Sequence, residues 1–220
     1  MLKQLTTGLM LFFAAGLAQA QPTAGIEYRE LSAAQPTDVV GKMEIIEFFW
    51  FGCPHCYNFE PVLEPWVKKL PKDTQFRRIP AIFNEEWAQG ARAYYTLEAI
   101  GEGQRLHKPL FDAVHTGSRL KVADEAALTE WLGKQGVDTK KFAAAYRSFS
   151  VEGRVKRAAQ LTQAYKIEGV PAMAVNGKYV VITDNIKSFD QMLAVADYLL
   201  DHTRKKGDPP KKGAKDAPKK

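Results

Sequence analysis

The sequence predicts an α/β fold in which a sheet domain is interrupted by a helical insertion and completed near the carboxyl end. Three observations predict it. A strand, a helix and a second strand follow one another over residues 43–83, the order that begins a parallel α/β unit. Helical patterns alone fill residues 84–166, and a hairpin with one last helix follows them. Five consecutive helices between strands indicate an insertion that packs as its own small bundle.

The first strand is predicted at residues 43–51, where "MEIIEFFWF" is apolar enough to be buried on both faces of a sheet. Pro54 suits the first turn of the helix that follows, because its missing N–H is not needed there. Pro61 and Pro65 lie further along that helix, and we expect them to kink or interrupt it. The run "TQFRRIPAIF", residues 74–83, predicts the second strand.

Cap residues predict where the helices of the insertion begin and end. Asn84 precedes "EEWAQGARAYYTLEAI", and Gly101 closes that pattern. Pro109 is expected to kink the next helix. Asp124 and Asp138 precede two shorter helical patterns, and the longer pattern "VEGRVKRAAQLTQAY" completes the insertion.

A hairpin and a capped helix are predicted after the insertion. Asn176 and Gly177 stand between "AMAV" and "KYVV", which is typical of a two-residue turn with positive φ at both positions. Ser188 and Gln191 form a capping box before "FDQMLAVADYLL".

Residues 1–20 have the pattern of a signal peptide. Lys3 is followed by an apolar run over residues 8–17 and by the small-x-small segment Ala18-Gln19-Ala20. The run is shorter than the roughly 20 apolar residues that span a membrane. A buried amino-terminal helix is the alternative. We expect an exported protein of the periplasm, with no membrane span in the mature chain.

The charge of the chain lies in its last residues. Residues 203–220 contain eight Lys or Arg and two Asp, which accounts for the whole formal net charge of +6. A segment so rich in Pro, Gly and Lys cannot build a core, so it predicts a disordered basic tail. Because the rest of the chain is neutral overall, no nucleic-acid partner is indicated.

Cys53 and Cys56 are the only cysteines of the chain, and several roles are open to such a pair. A disulfide that closes so short a loop is a poor structural staple. Haem attachment needs C-x-x-C-H, but Tyr57 follows the second cysteine. A zinc site needs four ligands, and the histidines lack the spacing for one. Copper binding by two thiolates stays open.

A reversible redox couple has a physical mechanism. Cys53 is expected at the amino end of the first helix, where free N–H groups and an adjacent His55 lower the pKa of a thiol. Cys56 is expected one turn deeper and less accessible. Cys53 would then be the exposed sulfur that is attacked, and Cys56 the resolving sulfur. Stabilising a thiolate favours the reduced form, so the disulfide becomes a better oxidant.

The segments "EFFWFGCPHCYNFE" and "EGVPAMAVNGKY" resemble the DsbA family, periplasmic thiol:disulfide oxidoreductases of the thioredoxin superfamily. The resemblance covers about residues 40–202. C-P-H-C is more specific than C-x-x-C, because Pro54 and His55 occupy positions that vary with redox role across the superfamily. The resemblance implies a thioredoxin-like fold with an inserted helical domain. Residues 21–83 and 167–202 would be the two parts of the thioredoxin-like domain, and residues 84–166 the insertion.

The resemblance also implies roles that spacing does not identify. Pro171 matches a proline whose cis peptide bond lies beside the active-site disulfide, and it would expose the backbone of Val170 to an extended substrate. Glu47 matches a buried acid near the resolving cysteine, although the strand pattern alone is equally compatible with an edge-facing residue. Trp50 or Phe51 is expected to border the site.

The implied function is donation of the Cys53–Cys56 disulfide to reduced exported polypeptides, which drives their oxidative folding. The resemblance implies no bound cofactor, no metal, and reoxidation by a quinone-linked membrane oxidase of the DsbB type. We expect a monomer. A reductase or isomerase on the same scaffold, a thiol-based metal carrier and a non-catalytic peptide binder stay open as alternatives. His55 beside Cys53 argues against a reductase, which needs a more stable disulfide.

Overall fold

The computed structural model describes residues 21–39 and 41–207 of the 220-residue chain. The predicted signal peptide, residues 1–20, and most of the predicted tail, residues 208–220, lie outside the described residues. Within the described part, no helix has both the length and the hydropathy to cross a membrane.

A five-stranded sheet forms the centre of the molecule. Its strands in chain order are β1 (Tyr28–Glu30), β2 (Met43–Phe49), β3 (Thr74–Pro80), β4 (Ala172–Val175) and β5 (Tyr179–Val181). Their order across the sheet is β1-β5-β4-β2-β3. The predicted central strand is confirmed, because β2 pairs in parallel with β3 and antiparallel with β4, and all its residues are buried. The short edge strand β1 was not predicted.

Seven α-helices accompany the sheet in the described part of the chain. They are α1 (Pro54–Val67), α2 (Glu85–Ile100), α3 (Gly103–His115), α4 (Glu125–Lys134), α5 (Thr139–Tyr146), α6 (Phe149–Ala164) and α7 (Phe189–Lys206). The order β2, α1, β3 confirms the predicted parallel unit, and α2 to α6 fill the interval between β3 and β4.

The predicted caps are present. Asn84 accepts a hydrogen bond from the backbone N–H of Trp87, and Asp124 and Asp138 each accept two from the first turns of α4 and α5. Gly101 ends α2 with a left-handed φ of 84°. The hairpin turn has φ of 50° at Asn176 and 70° at Gly177, as predicted. The cap and turn residues therefore predicted correctly where these helices and the hairpin begin or end.

Two local features differ from expectation: α1 is not interrupted at its prolines, and the last helix is longer than predicted. Pro61 and Pro65 lie inside α1, yet the helix runs unbroken over its 14 residues. The carboxyl-terminal helix extends to Lys206, into the segment predicted to be a disordered tail. Thr203 is buried there and donates to the carbonyl of Leu199, and basic residues in a last helical turn are favoured by the helix dipole.

The core of the five-helix segment is continuous with the end of β2 and the start of α1. One buried cluster combines Phe49 and Phe51, from the end of β2 and the turn after it, with Leu106, Leu110 and Phe111 of α3. Another packs α6 against the sheet. Helices α2 to α5 therefore pack mainly on one another, as expected of a small bundle, and the aromatic residues at the carboxyl end of β2 and in the turn after it complete their core. Both cysteines lie in the first cluster.

Candidate active site

The two cysteines lie where β2 ends and α1 begins. The backbone N–H of Cys53 donates to the carbonyl of Trp50 at 3.0 Å, which closes a tight turn between strand and helix. Cys53 is the N-cap of α1, with extended backbone angles (φ −86°, ψ 116°), and Pro54 follows at the first helical position. No side chain caps this helix. The Cys53 sulfur therefore stands beside helical N–H groups that lack intrahelical partners.

Both cysteines are free thiols, and they differ in burial. Cys53 is 8% exposed and Cys56, one turn along, is 0% exposed. Cys56 is thus the less accessible sulfur, as expected. Cys53 was expected to be exposed, but only a small part of its surface reaches solvent, because aromatic residues of the turn and the helices pack around it.

The pKa of Cys53 is lowered from 9.0 to about 6. The largest cause is a hydrogen bond from the Cys56 thiol, which outweighs the burial that opposes ionisation. Backbone N–H groups of Cys56 and His55 contribute next, and the charge of His55 contributes less. We expected the helix end and the His55 side chain to dominate. The neighbouring thiol, which only the folded turn brings into contact, is the larger influence.

Cys56 behaves in the opposite way. Burial is the main reason why its pKa is raised well above that of an ordinary thiol, and its hydrogen bond to Cys53 and the nearby charge of Glu47 act in the same direction. One thiol of the pair is therefore ionised near neutral pH while the other holds its proton. This asymmetry suits a pair in which one sulfur reacts with a partner and the other resolves the intermediate.

The segment before β4 approaches Cys53 from across the molecule. The Val170–Pro171 peptide bond is cis, as the resemblance implied. In its thiol form, Cys53 donates from Sγ to the carbonyl oxygen of Val170 at 3.4 Å. A thiolate cannot donate, so ionisation of Cys53 releases this carbonyl for another donor.

Glu47 lies inside the molecule and not at an edge. Its strand, β2, is paired on both sides, and Glu47 is 0% exposed. The register places it directly beside Arg78 on β3, whose Nε donates to Glu47 Oε2 at 3.0 Å. Glu47 Oε1 has no hydrogen-bond partner. Burial raises the pKa of Glu47 to about 8, despite the opposing charge of Arg78.

Arg78 also binds two carboxylates of α1. Its Nη2 lies 3.0 Å from Glu60 and 2.7 Å from Glu64. Glu60 in turn pairs with the buried His107 of α3 at 3.2 Å. Burial alone would raise the pKa of Glu60, but the hydrogen bond with His107 and the charge of Arg78 lower it. We name these five residues, Glu47, Glu60, Glu64, Arg78 and His107, the Arg78 cluster.

Sequence reasoning did not identify the contacts that α3 makes around the C-P-H-C segment. His115 Nε2 donates to the carbonyl of Phe51 at 2.7 Å, and its ring stacks on Tyr57. The Tyr57 hydroxyl donates to Asp112 at 3.1 Å. The paired charges of "FRRIP" opposite "IIEFF" could have indicated the Arg78–Glu47 pair. No sequence signal relates His115 to Phe51.

Two surfaces lie beside the cysteines. A cleft of about 670 Å³ is lined by His55, Val170 and Pro171 together with apolar residues of α1 and α7 and of the segment between them, among them Val62, Ile186, Phe189 and Met192. On another side, the Trp50 ring stacks on Trp87 of α2 at 4.4 Å and covers the space above Gly52. Trp50 therefore borders the site, whereas Phe51 is 1% exposed and belongs to the core.

Comparisons with known proteins show the family to which this chain belongs. The family model of the DSBA-like thioredoxin domain matches residues 69–194. The chain is 41% identical over 182 residues to the thiol:disulfide interchange protein DsbA of Pseudomonas aeruginosa, covering 83% of this chain and 86% of that protein. It is 41% identical over 191 residues to DsbA of Azotobacter vinelandii, covering 87% and 89%. The crystal structure of P. aeruginosa DsbA matches with a TM-score of 0.80 and 40% identity, over 84% of this chain and 96% of that one.

Proposed function

The chain belongs to the DsbA family of thioredoxin-fold proteins and is a thiol:disulfide oxidoreductase of oxidative folding; from this premise we propose that Cys53 and Cys56 are its redox couple and that their disulfide is donated to reduced exported polypeptides. One observation carries the proposal. Cys53, at the N-cap of α1, has a pKa of about 6 while the pKa of the buried Cys56 is raised well above its ordinary value.

The direction of electron flow follows from the Cys53 thiolate. At pH 7 a pKa of about 6 leaves most of Cys53 ionised, which stabilises the reduced form relative to an ordinary thiol. The gain is about 1.4 kcal/mol at this pH, equivalent to about 30 mV for a two-electron couple. A more stable reduced form makes the disulfide a stronger oxidant, which supports an oxidase over a reductase.

The reaction has two exchange steps. A substrate thiolate attacks Sγ of Cys53 in the disulfide form, so a mixed disulfide forms and Cys56 leaves and takes up a proton. The second substrate thiolate then attacks the substrate sulfur of the mixed disulfide, and Cys53 leaves as a thiolate. The substrate gains a disulfide and loses two electrons to the Cys53–Cys56 pair. The low pKa of Cys53 makes it a good leaving group in the second step.

Neighbouring residues have supporting roles in this proposal. Pro54 and His55 shape the turn between the cysteines, and His55 adds donors and charge that favour the Cys53 thiolate. Glu47, with one free oxygen and a pKa near 8, is the group we assign to exchange the proton of Cys56. If a Glu47→Gln variant reacts with a reduced peptide at the wild-type rate throughout pH 5 to 8, Glu47 does not exchange the proton of Cys56.

Substrate recognition is assigned to the Val170–Pro171 segment and the adjoining cleft. When Cys53 is ionised or bonded to another sulfur, the Val170 carbonyl is free to accept a hydrogen bond from an extended substrate backbone. The cleft beside it combines apolar side chains with polar and charged ones, among them Thr183, Lys187 and Asp190, which suits the unfolded segments of many different polypeptides.

The location, the oligomeric state, the redox partner and the domain boundaries are also part of the proposal. We propose that the protein acts in the periplasm as a monomer and is reoxidised by a quinone-linked membrane oxidase of the DsbB type. We divide the chain into a thioredoxin-like domain, residues 21–83 and 167–202, and a helical insertion, residues 84–166. The leader-like pattern of residues 1–20 supports export.

The test is the equilibrium between the protein and glutathione buffers of known ratio. Trp50 lies three residues before Cys53, so tryptophan fluorescence is a suitable readout. We expect a reduction potential well above that of thioredoxin, which is about −270 mV. A thioredoxin-like value would reverse the direction of electron flow and identify a reductase. A pair that fails to form its disulfide reversibly would refute the redox assignment.

A further inference from the structure

We propose that His115 is a positioning residue for the redox couple, which holds the turn that presents Cys53. The inference rests on the assignment of Cys53 and Cys56 as the reacting pair. His115 lies in the last turn of α3, far along the chain from the C-P-H-C segment.

The imidazole touches the chain on both sides of the two cysteines. Its Nε2 donates to the carbonyl oxygen of Phe51 at 2.7 Å, two residues before Cys53. Its ring stacks on Tyr57, the residue after Cys56, with centroids 4.9 Å apart and an interplanar angle of 19°. One side chain therefore contacts the entry and the exit of the reactive segment.

The Phe51 carbonyl lies inside the turn that determines the orientation of Cys53. The turn is closed by the hydrogen bond from the Cys53 N–H to Trp50, and Phe51 is 1% exposed. A buried carbonyl needs a donor, and His115 supplies one from a distant part of the chain. This bond fixes the peptide unit between Phe51 and Gly52, and so it limits the directions in which the following Cys53 can point.

The position of His115 is fixed by contacts between its helix, α3, and α1. Two other residues of α3 bind α1: His107 pairs with Glu60, and Asp112 accepts from the Tyr57 hydroxyl. The donor to Phe51 is thus placed by a helix anchored at further points along α1. A donor on such a support positions its partner more accurately than one on a loop.

The orientation of Cys53 determines how well its thiolate is stabilised. Its pKa is low because Sγ accepts hydrogen bonds from the Cys56 thiol and from backbone N–H groups of Cys56 and His55. These contacts require Cys53 to keep its orientation. Without the His115 donor the turn can relax, the contacts weaken, and the thiolate loses stabilisation. The disulfide should then be a weaker oxidant.

Two substitutions separate the hydrogen bond from the ring stack. His115→Phe keeps an aromatic ring against Tyr57 and removes the donor. His115→Gln removes the ring and keeps an N–H of similar reach. His202→Phe is the matched control, because His202 stacks on Tyr198 within α7. For each protein we would measure the thiolate absorbance of reduced Cys53 against pH, the glutathione equilibrium constant and the free energy of unfolding.

We expect His115→Phe to raise the pKa of Cys53 and to shift the glutathione equilibrium toward the protein disulfide by about two- to tenfold, the factor that one hydrogen bond supplies. His115→Gln and His202→Phe should stay near wild type in both. Wild-type values for His115→Phe, or an equal shift for His115→Gln, would overturn the proposal. Equal losses of stability with an unchanged pKa would also overturn it, since they would show a purely structural role.

The failure of the proposed function would look different. A wild-type potential like that of thioredoxin would refute disulfide donation, whatever the variants do. The contrast between the Phe and Gln variants would still decide whether His115 positions the couple.

Discussion

Two regions of α1 hold acidic groups in different ways. In the first turn, the Cys53 thiolate is stabilised mainly by the Cys56 thiol and backbone N–H groups, and less by the charge of His55. Further along the helix, Glu60 and Glu64 share the guanidinium of Arg78 with Glu47 of the sheet. The first site uses hydrogen-bond donors and the second uses a fixed countercharge.

The difference follows from what each charge has to do. A thiolate held mainly by neutral donors loses its charge when it forms a disulfide, and no buried cation is left unpaired, because His55 is exposed. A carboxylate bound to a buried guanidinium is costly to change, because removal of either partner leaves an uncompensated charge. The amino end of α1 is thus suited to reaction, and the Arg78 cluster to holding α1, β2 and β3 in register.

The largest effect is expected at the reactive end. Cys53→Ser should abolish disulfide transfer, because no disulfide can form. In Cys56→Ser the Cys53 thiolate should still attack the disulfide of an oxidised peptide and expel one peptide sulfur as a thiolate, but no second cysteine can resolve the product, so mixed disulfides should accumulate. Mass spectrometry of each variant after incubation with an oxidised peptide measures this. Accumulation in Cys53→Ser instead would exchange the roles of the two sulfurs.

The Arg78 cluster should respond through stability. Arg78→Met removes the countercharge of Glu60 and Glu64 and the hydrogen-bond donor of Glu47, and it should lower the free energy of unfolding by about 3 kcal/mol. Arg147→Met is the matched control, because Arg147 pairs with Glu125 on the surface, with side chains 64% and 38% exposed. Its cost should be at most about 1 kcal/mol. Urea unfolding compares the two variants, and similar losses would contradict a structural role for the cluster.

Cys53 and Glu47 should contribute to the free energy of unfolding with opposite dependence on pH. Cys53 has a folded-state pKa of about 6, below its ordinary value of 9.0, so its stabilisation of the reduced protein is present at high pH and is lost as pH falls through 6. Between pH 5 and pH 8 it amounts to about 2.5 kcal/mol. Glu47 has a raised pKa of about 8, so its ionisation in the unfolded chain lowers stability as pH rises from 4.5 toward 8.

Unfolding of the reduced protein in urea at pH 5 and pH 8 separates the contributions of Cys53 and Glu47 to the free energy of unfolding. Relative to wild type, Cys53→Ser should lose stability as pH rises, and Glu47→Gln should gain it. The wild-type slope contains both contributions, so the two variants should depart from it in opposite directions. Departures of the same sign would mean that one of the two pKa shifts has the wrong direction.

Much of the fold followed from local sequence. The caps at Asn84, Asp124 and Asp138, the hairpin turn at Asn176-Gly177 and the central strand before C-P-H-C depend on neighbouring residues, and all are present. The unbroken α1 was not predicted, because packing of the helix on its neighbours outweighs two prolines. The last turn of α7, which includes the buried Thr203, was not predicted, because the burial of Thr203 depends on contacts outside the tail.

The candidate site divides in the same way. The sequence by itself determined the cysteine pair, its place at the start of a helix and the proline before the last hairpin, because each of these features depends on residues that are neighbours in the chain. Only the tertiary structure decided that Val170 meets Cys53 across 117 residues, that strand register sets Arg78 beside Glu47, and that His115 meets Phe51 across 64 residues. Such pairs are formed by the packing of whole elements, so no local propensity encodes them.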